Sequence, residues 1–355
     1  MLLDKPFPYI SVIIPMRNEE EYVEKCIRSL INQDYPDNLY EILVVDGISN
    51  DNSKRITQSL AKKRSNILLF ENADYLTSYG LNIGIRKSRG EIIIILGAHS
   101  FVENDFIRKN VELLKKMDGI DCLGGPIDTL GETQSAKAIS LAMSSPFGVG
   151  DALFRYTEKE GYVDTVAFGA YKREIFEKIG LFDEALVRNQ DDEFNYRLRK
   201  AGGRIYITPQ IRSFYYSRAT LRNLWNQYFQ YGFWKTRVFQ KHPKMMKIRQ
   251  FIPGTFVLSI AISMILSFYD KLSFSLFLII LVSYATCNLF FSFVIAKKEG
   301  WKYLPLLPIV FVTMHFSYGI GFLTGLIRFF PKWFQKEIAP PGFKDSKCET
   351  CNPSN

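Results

Sequence analysis

The sequence predicts an α/β domain, an open and mostly parallel sheet with helices on both faces, followed by helices that cross a membrane. Three observations carry this reading. Val/Ile-rich runs each end in a polar cluster, helical-period segments separate them, and three long stretches after Ile252 are almost free of charge. Near-continuous Val/Ile runs are typical of strands buried on both faces of a parallel sheet. Their alternation with helical segments is the pattern of a doubly wound fold.

The first strand is Ser11-Val12-Ile13-Ile14-Pro15, running into Arg17-Asn18-Glu19-Glu20. Val23, Cys26, Ile27, Leu30 and Ile31 then recur at helical spacing. The second strand, Ile42-Leu43-Val44-Val45, passes straight into Asp46-Gly47-Ile48-Ser49-Asn50-Asp51. A helix is expected over 53–63, a third strand over 67–70 and a helix carrying small residues over 79–85. The most apolar strand, 91–96, runs into Gly97-Ala98-His99-Ser100, and a helix follows over 105–117. From Gly124 the pattern loosens, and Ser144-Ser145-Pro146-Phe147-Gly148-Val149-Gly150 reads as a flexible loop, either a lid or acceptor wall or a plain connector. A strand is expected over 163–170 and a helix over 172–179. Asn189-Gln190-Asp191-Asp192-Glu193 opens a further helix carrying Phe194, Tyr196, Arg197 and Leu198.

Ligands of such sheets bind beyond the carboxyl ends of the strands, where the clusters around Asp46 and His99 fall. The acidic start at Asp191 has an ordinary reading too, since carboxylates stabilise a helix's first turn.

The chain has 355 residues and a net charge of +9. Stretches 252–269, 272–296 and 303–327 each approach the ~20 residues that a membrane-crossing helix needs. The last is interrupted by Pro305, Pro308, Gly319, Gly321 and Gly325, which fits a broken or re-entrant helix. Two to four segments are therefore expected, and Arg328, Lys332 and Lys336 favour an inside tail where three crossings place it outside. No secretory signal is read at the N-terminus, so the first 250 residues are expected on the cytoplasmic side.

The excess charge concentrates before the first apolar stretch, at Arg212, Arg218, Arg222, Lys235, Arg237, Lys241, Lys244, Lys247 and Arg249. Trp225, Tyr228, Phe229, Tyr231, Phe233 and Trp234 are interleaved with them. That composition suits a helix lying at a membrane surface and touching its lipids, or a helix packed on the domain with a solvated basic face. No nucleic-acid module pattern is present, so no nucleic-acid partner is expected. Cys26, Cys122 and Cys287 read as small hydrophobes. Cys348 and Cys351 form a lone Cys-x-x-Cys without the second pair that a zinc site needs. The expected division is a catalytic domain over 1–215, basic and aromatic interfacial helices over 216–251, a membrane region over 252–330 and a polar tail over 331–355.

One mechanism uses all three polar clusters. A strand-end Asp accepts hydrogen bonds from a nucleotide base, and a ligand at the next strand end holds a diphosphate through a divalent cation that neutralises its departing charge. A carboxylate takes the proton of an attacking hydroxyl. A dehydrogenase is disfavoured, because the turn Pro15-Met16-Arg17-Asn18 lacks the glycines of a dinucleotide phosphate turn.

The succession SVIIPMRNEE, EILVVDGISNDNS, GEIIIILGAHS and LVRNQDDEFNYRLRKAGG resembles the family 2 glycosyltransferases of GT-A fold. The runs HFSYGIGFLTGL and SSPFGVG resemble the membrane-bound branch that assembles exopolysaccharides of the cell envelope, the succinoglycan kind in particular. The resemblance implies an inverting glycosyltransferase in the cytoplasmic membrane, moving a sugar from a nucleotide-sugar donor, a uridine one, to a lipid-linked glycan. It implies that Glu19 and Asp46 hold the nucleobase, with Pro15, Arg17 and Asp51 in the same donor contact. The family's metal-binding Asp-x-Asp falls on Gly97-Ala98-His99, so Gly97 drops out and His99 becomes the metal or diphosphate ligand, for Mn2+ or Mg2+. Imidazole can ligate manganese, whereas hard oxygen ligands suit magnesium better.

The same resemblance makes Asp191 the catalytic base. Gln190, in the place of a usual Glu, can orient it without like-charge repulsion. Asp192 and Glu193 are secondary candidates or salt-bridge residues. Gln227 and Tyr231 fall loosely on an acceptor-side motif of which only the Gln is retained. Other polysaccharide-assembly proteins are further candidate partners. The alternatives are a polyprenyl-phosphate sugar synthase and a non-catalytic nucleotide-sugar-binding subunit, the latter motivated by Gly97 and Gln190.

Overall fold

The computed structural model of the chain describes residues 7–217, 220–335 and 338–343. Arg218, Lys336, Cys348 and Cys351 lie outside the described residues. In chain order come β1 (Ile10–Met16), α1 (Val23–Ile31), β2 (Tyr40–Asp46), α2 (Ser53–Ala61), β3 (Ile67–Glu71) and α3 (Thr77–Lys87). Next are β4 (Ile92–Ile95), β5 (Ser100–Val102), α4 (Phe106–Lys116), β6 (Cys122–Gly125), β7 (Ile127–Leu130), α5 (Gln134–Met143) and α6 (Pro146–Val149). Then follow β8 (Gly161–Tyr162), β9 (Ala167–Lys172), α7 (Arg173–Ile179), α8 (Gln190–Lys200), β10 (Ile205–Ile207) and β11 (Ser213–Tyr216). The chain continues as α9 (Leu221–Lys241), α10 (Ile248–Leu266), α11 (Lys271–Glu299) and α12 (Leu307–Phe329).

These elements form two compact units. The first gathers the described residues of Met1–Gly125, Glu160–Ile211 and Ile338–Asn355, and the second those of Pro126–Lys159 and Arg212–Glu337. The expected catalytic block is thus not one continuous segment, because residues 126–159 belong with the C-terminal helices.

In the first unit the strand order is β3-β2-β1-β4-β9-β6-β10-β8. The half from β3 to β4 is parallel, as its Val/Ile runs predict. The other half is mixed, because β9 runs antiparallel to both β4 and β6, and β8 antiparallel to β10. One face of the parallel half buries Val12, Ile14, Ile42, Val44 and Ile94 with Val23, Ile27 and Leu30 of α1 and Phe106 and Ile107 of α4. On the opposite face α3 comes close enough that a Cβ on Gly84 would sit 2.4 Å from Ile13 Cγ2. At the amino ends of the strands, buried Glu41 accepts from the Ser11 hydroxyl at 2.7 Å and from Arg89 Nε at 3.0 Å. That charge is accounted for by the fold.

The chain passes from β1 to β2 and β3 on one side, then returns to β4 on the other side of β1. This reversal opens a crevice at the carboxyl ends of β1 and β4. Pro15 marks it. Ile13 O accepts from Leu96 N at 3.0 Å, so odd-numbered residues of β1 face β4. The β1–β4 register stops at Ile13↔Ile95, and the donor that Pro15 lacks would point where β4 has already left.

In the second unit β7 and β11 pair in parallel. α10, α11 and the α12 region are long and apolar enough to cross a membrane. The broken or re-entrant reading of the last stretch is corrected, because α12 is one continuous helix with its proline at the start, where no intrahelical donor is needed. Its glycines serve contact instead. A Cβ on Gly321 would lie 2.2 Å from Phe229 O of α9, one on Gly325 2.5 Å from Phe233 O, and one on Gly319 2.4 Å from Pro253 O of α10. Small residues at these positions let helix backbones meet. Gly321→Ala is therefore expected to destabilise the protein in detergent by about 1–3 kcal/mol, read as a lower unfolding temperature. Gly161→Ala, where the added carbon meets open space, is the neutral control.

Two further expectations change. Residues 144–150 are not a free loop: α6 is capped by Ser145, whose hydroxyl accepts from Gly148 N at 3.2 Å. The Phe147 ring stacks on Phe291 at 4.8 Å and meets Phe311 edge-on at 4.9 Å. The basic run is not wholly a surface feature either. Leu224, Tyr228, Gly232 and Lys235 recur along one face of α9, and Lys235 and Arg237 are buried.

Candidate active site

The turns after β1 and β2 are laced into one surface. Gly47 N donates to Met16 O at 2.8 Å, which carries the β1–β2 pairing one residue past the strands. Asn18 N donates to Ser49 Oγ at 2.9 Å, and Asn50 N to Asn18 Oδ1 at 3.0 Å. Asn18 and Ile48 adopt positive φ of 54° and 53°. Left-handed backbone at non-glycine residues clusters at ligand sites.

Asp46 closes β2 with its carboxylate 1% exposed, accepting from the Ser49 hydroxyl at 2.5 Å. Asp51 accepts from Glu20 N at 3.1 Å and Ser53 N at 2.9 Å. Burial raises its pKa, but the Ser53 hydroxyl and these backbone donors outweigh that and hold it below the ordinary carboxylate value. Asp51 therefore braces the two turns. Arg17 lies over the Tyr75 ring at 4.9 Å. Tyr75 is an exposed aromatic with φ 62° that the sequence reading missed, since nothing in its polar turn distinguishes it.

His99 follows β4, and its Nδ1 lies 2.9 Å from Glu19 Oε1 of the β1 turn. The pair spans the crevice at the strand reversal. A carboxylate on the Nδ1 side of the ring orients the imidazole in the crevice. The resemblance implies a nucleobase contact for Glu19, while here its carboxylate engages His99. Among the described residues no group of three or more His, Cys, Asp or Glu side chains is placed to hold a metal ion. His99, oriented by Glu19, would offer one ring nitrogen to a cation whose remaining ligands would come from a bound anion.

Gly97, where the wider family pattern has Asp, faces Phe168 of β9: a Cβ there would lie 3.2 Å from the ring. Phe168 has φ 50°. It is a second aromatic beside the strand end that the sequence did not disclose, and it crowds the Cβ that an acidic residue at 97 would carry.

Asn189, at φ 61°, turns the chain into α8. Asp191 is exposed in its first turn and Asp192 half-buried. The charge of Asp191 reaches Tyr171 of β9. Burial drives that hydroxyl well above its ordinary value, with Cys122 and Asp191 adding to the effect. Tyr171 in turn donates to Asn195 Oδ1 at 3.0 Å, which fastens α8 to β9. Gln190 Oε1 is buried without a hydrogen-bond partner.

Glu193 has a structural role. It is fully buried and receives Arg197 Nε at 2.7 Å, while Arg197 also donates to Ile179 O and Leu181 O at 2.6 Å. Glu193→Gln is expected to cost about 1–3 kcal/mol of stability, measured by denaturant unfolding, while turnover per folded molecule stays near native. In the second unit, Gln227 Nε2 donates to the Tyr231 hydroxyl at 2.9 Å, so these two acceptor-side candidates do come together.

Known proteins share this architecture. The chain matches the family described as "Glycosyl transferase family 2" over residues 11–180. It is 32% identical over 327 residues to a dolichyl N-acetyl-α-D-glucosaminyl phosphate 3-β-D-2,3-diacetamido-2,3-dideoxy-β-D-glucuronosyltransferase of Methanococcus voltae, covering 90% of this chain and 98% of that protein. It is 28% identical over 320 residues to the succinoglycan biosynthesis protein ExoA of Rhizobium meliloti, covering 90% and 95%. Among solved structures, the mannosyltransferase PcManGT of Pyrobaculum calidifontis, in complex with GDP-Man and Mn2+, superposes with a TM-score of 0.58 at 18% identity, covering 92% and 91%. The fold is GT-A, as the sequence motifs imply. Because the similarity runs through the sheet and the apolar helices alike, the chain belongs to glycosyl transferase family 2 and is a glycosyltransferase.

Proposed function

We propose that the protein is an inverting glycosyltransferase that moves a sugar from a nucleotide-diphosphate donor, a uridine one, to a lipid-linked glycan at the cytoplasmic membrane face. The observation that carries this reading is the His99–Glu19 pair spanning the crevice where β1 and β4 part. It places an imidazole and a carboxylate where a doubly wound sheet receives its ligand. The three helices long enough to cross a membrane, and a relative named for a dolichyl-phosphate-linked sugar, support a lipid-linked acceptor.

In this reading the turns holding Pro15, Arg17, Asp46 and Asp51 receive the nucleoside, and His99, oriented by Glu19, would help to hold the diphosphate through Mn2+ or Mg2+. The cation supplies charge neutralisation for the departing diphosphate. Asp191 takes the proton of the acceptor hydroxyl as that oxygen bonds to the anomeric carbon. The bond from that carbon to the phosphate oxygen breaks on the opposite face, which inverts the centre. The basic and aromatic run before α10 meets the membrane surface, and other polysaccharide-assembly proteins are potential partners.

The test is nucleoside diphosphate release by the full chain in membranes, with a panel of nucleotide sugars, polyprenyl-linked glycans and either metal. Release that requires a lipid-linked glycan supports the reading. Release with polyprenyl phosphate alone would make the protein a synthase that charges the carrier. Release with water-soluble sugars alone would overturn the lipid-linked acceptor.

A further inference from the structure

A half-buried polar cluster in the second unit extends the Gln227–Tyr231 pair beyond the contacts described above. Tyr215, in β11, is its hub. Gln227 Nε2 donates to the Tyr215 hydroxyl at 3.2 Å, and the Arg155 guanidinium carbon lies 5.4 Å from the centre of the same ring. Arg155 also faces Tyr228: burial pushes that hydroxyl above its ordinary value and the guanidinium charge pulls it back. The cluster thus draws on the segment after α6, on β11 and on α9.

Two of its atoms are left over. Arg155 Nη1, a donor, and Gln227 Oε1, an acceptor, are both buried and have no hydrogen-bond partner. A buried polar atom without a partner costs roughly 1–3 kcal/mol, and each such atom in a folded protein calls for an explanation. A guanidinium N–H is satisfied best by an anionic oxygen, and an amide oxygen by a hydroxyl. One ligand that satisfies both has an anionic oxygen next to a hydroxyl, which is the chemistry of a sugar phosphate. The tyrosines add apolar rings with polar tips, suited to a sugar face.

We propose that Arg155 and Gln227 recognise the phosphate and a neighbouring sugar hydroxyl of the lipid-linked acceptor. This rests on the lipid-linked reading above and names the part of the acceptor that is bound. Arg155 then sorts acceptors by their phosphate, a task separate from donor binding at Glu19 and His99.

The experiment uses the full chain in detergent micelles and two probes, a phytanyl-phosphate-linked sugar and the same glycolipid with an ether in place of the phosphate. The native chain is expected to favour the phosphorylated probe at least tenfold. Arg155→Gln removes the preference and Arg155→Lys keeps part of it. Gln227→Glu, nearly isosteric, weakens only the phosphorylated probe by bringing a negative charge beside the anion. Binding of uridine diphosphate stays at the native value in all three, and an unchanged unfolding temperature in detergent reports that each variant is folded.

Absence of a phosphate preference in the native chain, or its survival in Arg155→Gln, overturns the proposal. So does inorganic phosphate that competes as strongly as the glycolipid. The functional reading fails separately. If no lipid-linked acceptor receives sugar yet the preference depends on Arg155, phosphate recognition stands and the transfer reading falls. If transfer proceeds and Arg155→Gln leaves the acceptor KM unchanged, this proposal alone is overturned.

Discussion

Asp191→Asn is expected to lower turnover by about 10²–10⁴-fold, the range that a positioned general base contributes, with little change in donor affinity. The substitution keeps size and hydrogen-bonding capacity and removes only the ability to accept a proton. Its surroundings suit it to that task. Asn189 turns the chain abruptly into α8, which sets Asp191 exposed in the first helical turn, and the Tyr171–Asn195–Thr165 hydrogen bonds hold that helix against β9 from beneath. The neighbouring acidic residues do not share the role equally. Glu193 faces inward to Arg197, so its loss is felt in stability. Asp192→Asn is expected to change turnover by less than about tenfold, well below the range for a base. The assay is initial-rate nucleoside diphosphate release with the acceptor varied, alongside equilibrium binding of uridine diphosphate. Undiminished turnover in Asp191→Asn removes it as the base, and a collapse in Asp192→Asn transfers the role there.

The parts of this architecture that were legible in the sequence share one property, a local pattern that long-range contacts did not override. β1, β2 and β4 are Val/Ile-rich runs, so their burial in a parallel sheet could be read from composition, and the polar clusters marking their carboxyl ends came with them. The direction of β9 could not be read. Its sequence, AFGAYK, does not record that the chain has been to the second unit and returned, and that excursion brings it back antiparallel to β4. Phe168 was missed for the same reason, because its claim on the space beside Gly97 arises only once β9 is in place.

The glycines of α12 were visible but misread. In isolation they suggest a broken helix, yet they face the carbonyls of α9 and α10, where absence of a side chain is what contact requires. Residues 144–150 look like a free loop because Gly148 and Gly150 dominate their composition. Phe147, the one large side chain among them, anchors them in an aromatic cluster contributed by residues more than a hundred positions later.

Substitution of His99 gives the second large effect. His99→Ala is expected to reduce metal-supported turnover by at least about 10–100-fold, the range lost when a metal ligand's oriented partner is removed, and to flatten the dependence on added Mn2+. Two features of the crevice motivate this. Glu19 and His99 come from turns on opposite sides of the strand reversal, so their 2.9 Å contact fixes the width of the crevice at the point where a diphosphate would enter. The wider family pattern has a carboxylate at Gly97, where a Cβ would press on the Phe168 ring at 3.2 Å, and in the proposed reading the ligand role passes to the imidazole. Nitrogen and oxygen ligands differ in preference: imidazole suits softer divalent ions, while magnesium demands oxygen. His99→Asp should therefore keep metal dependence but move its optimum from Mn2+ toward Mg2+, whereas Glu19→Gln should keep the preference and weaken metal binding. Uridine diphosphate binding across a titration of each metal reads these effects without turnover. An unchanged metal dependence in His99→Ala would leave the pair as a strut across the crevice.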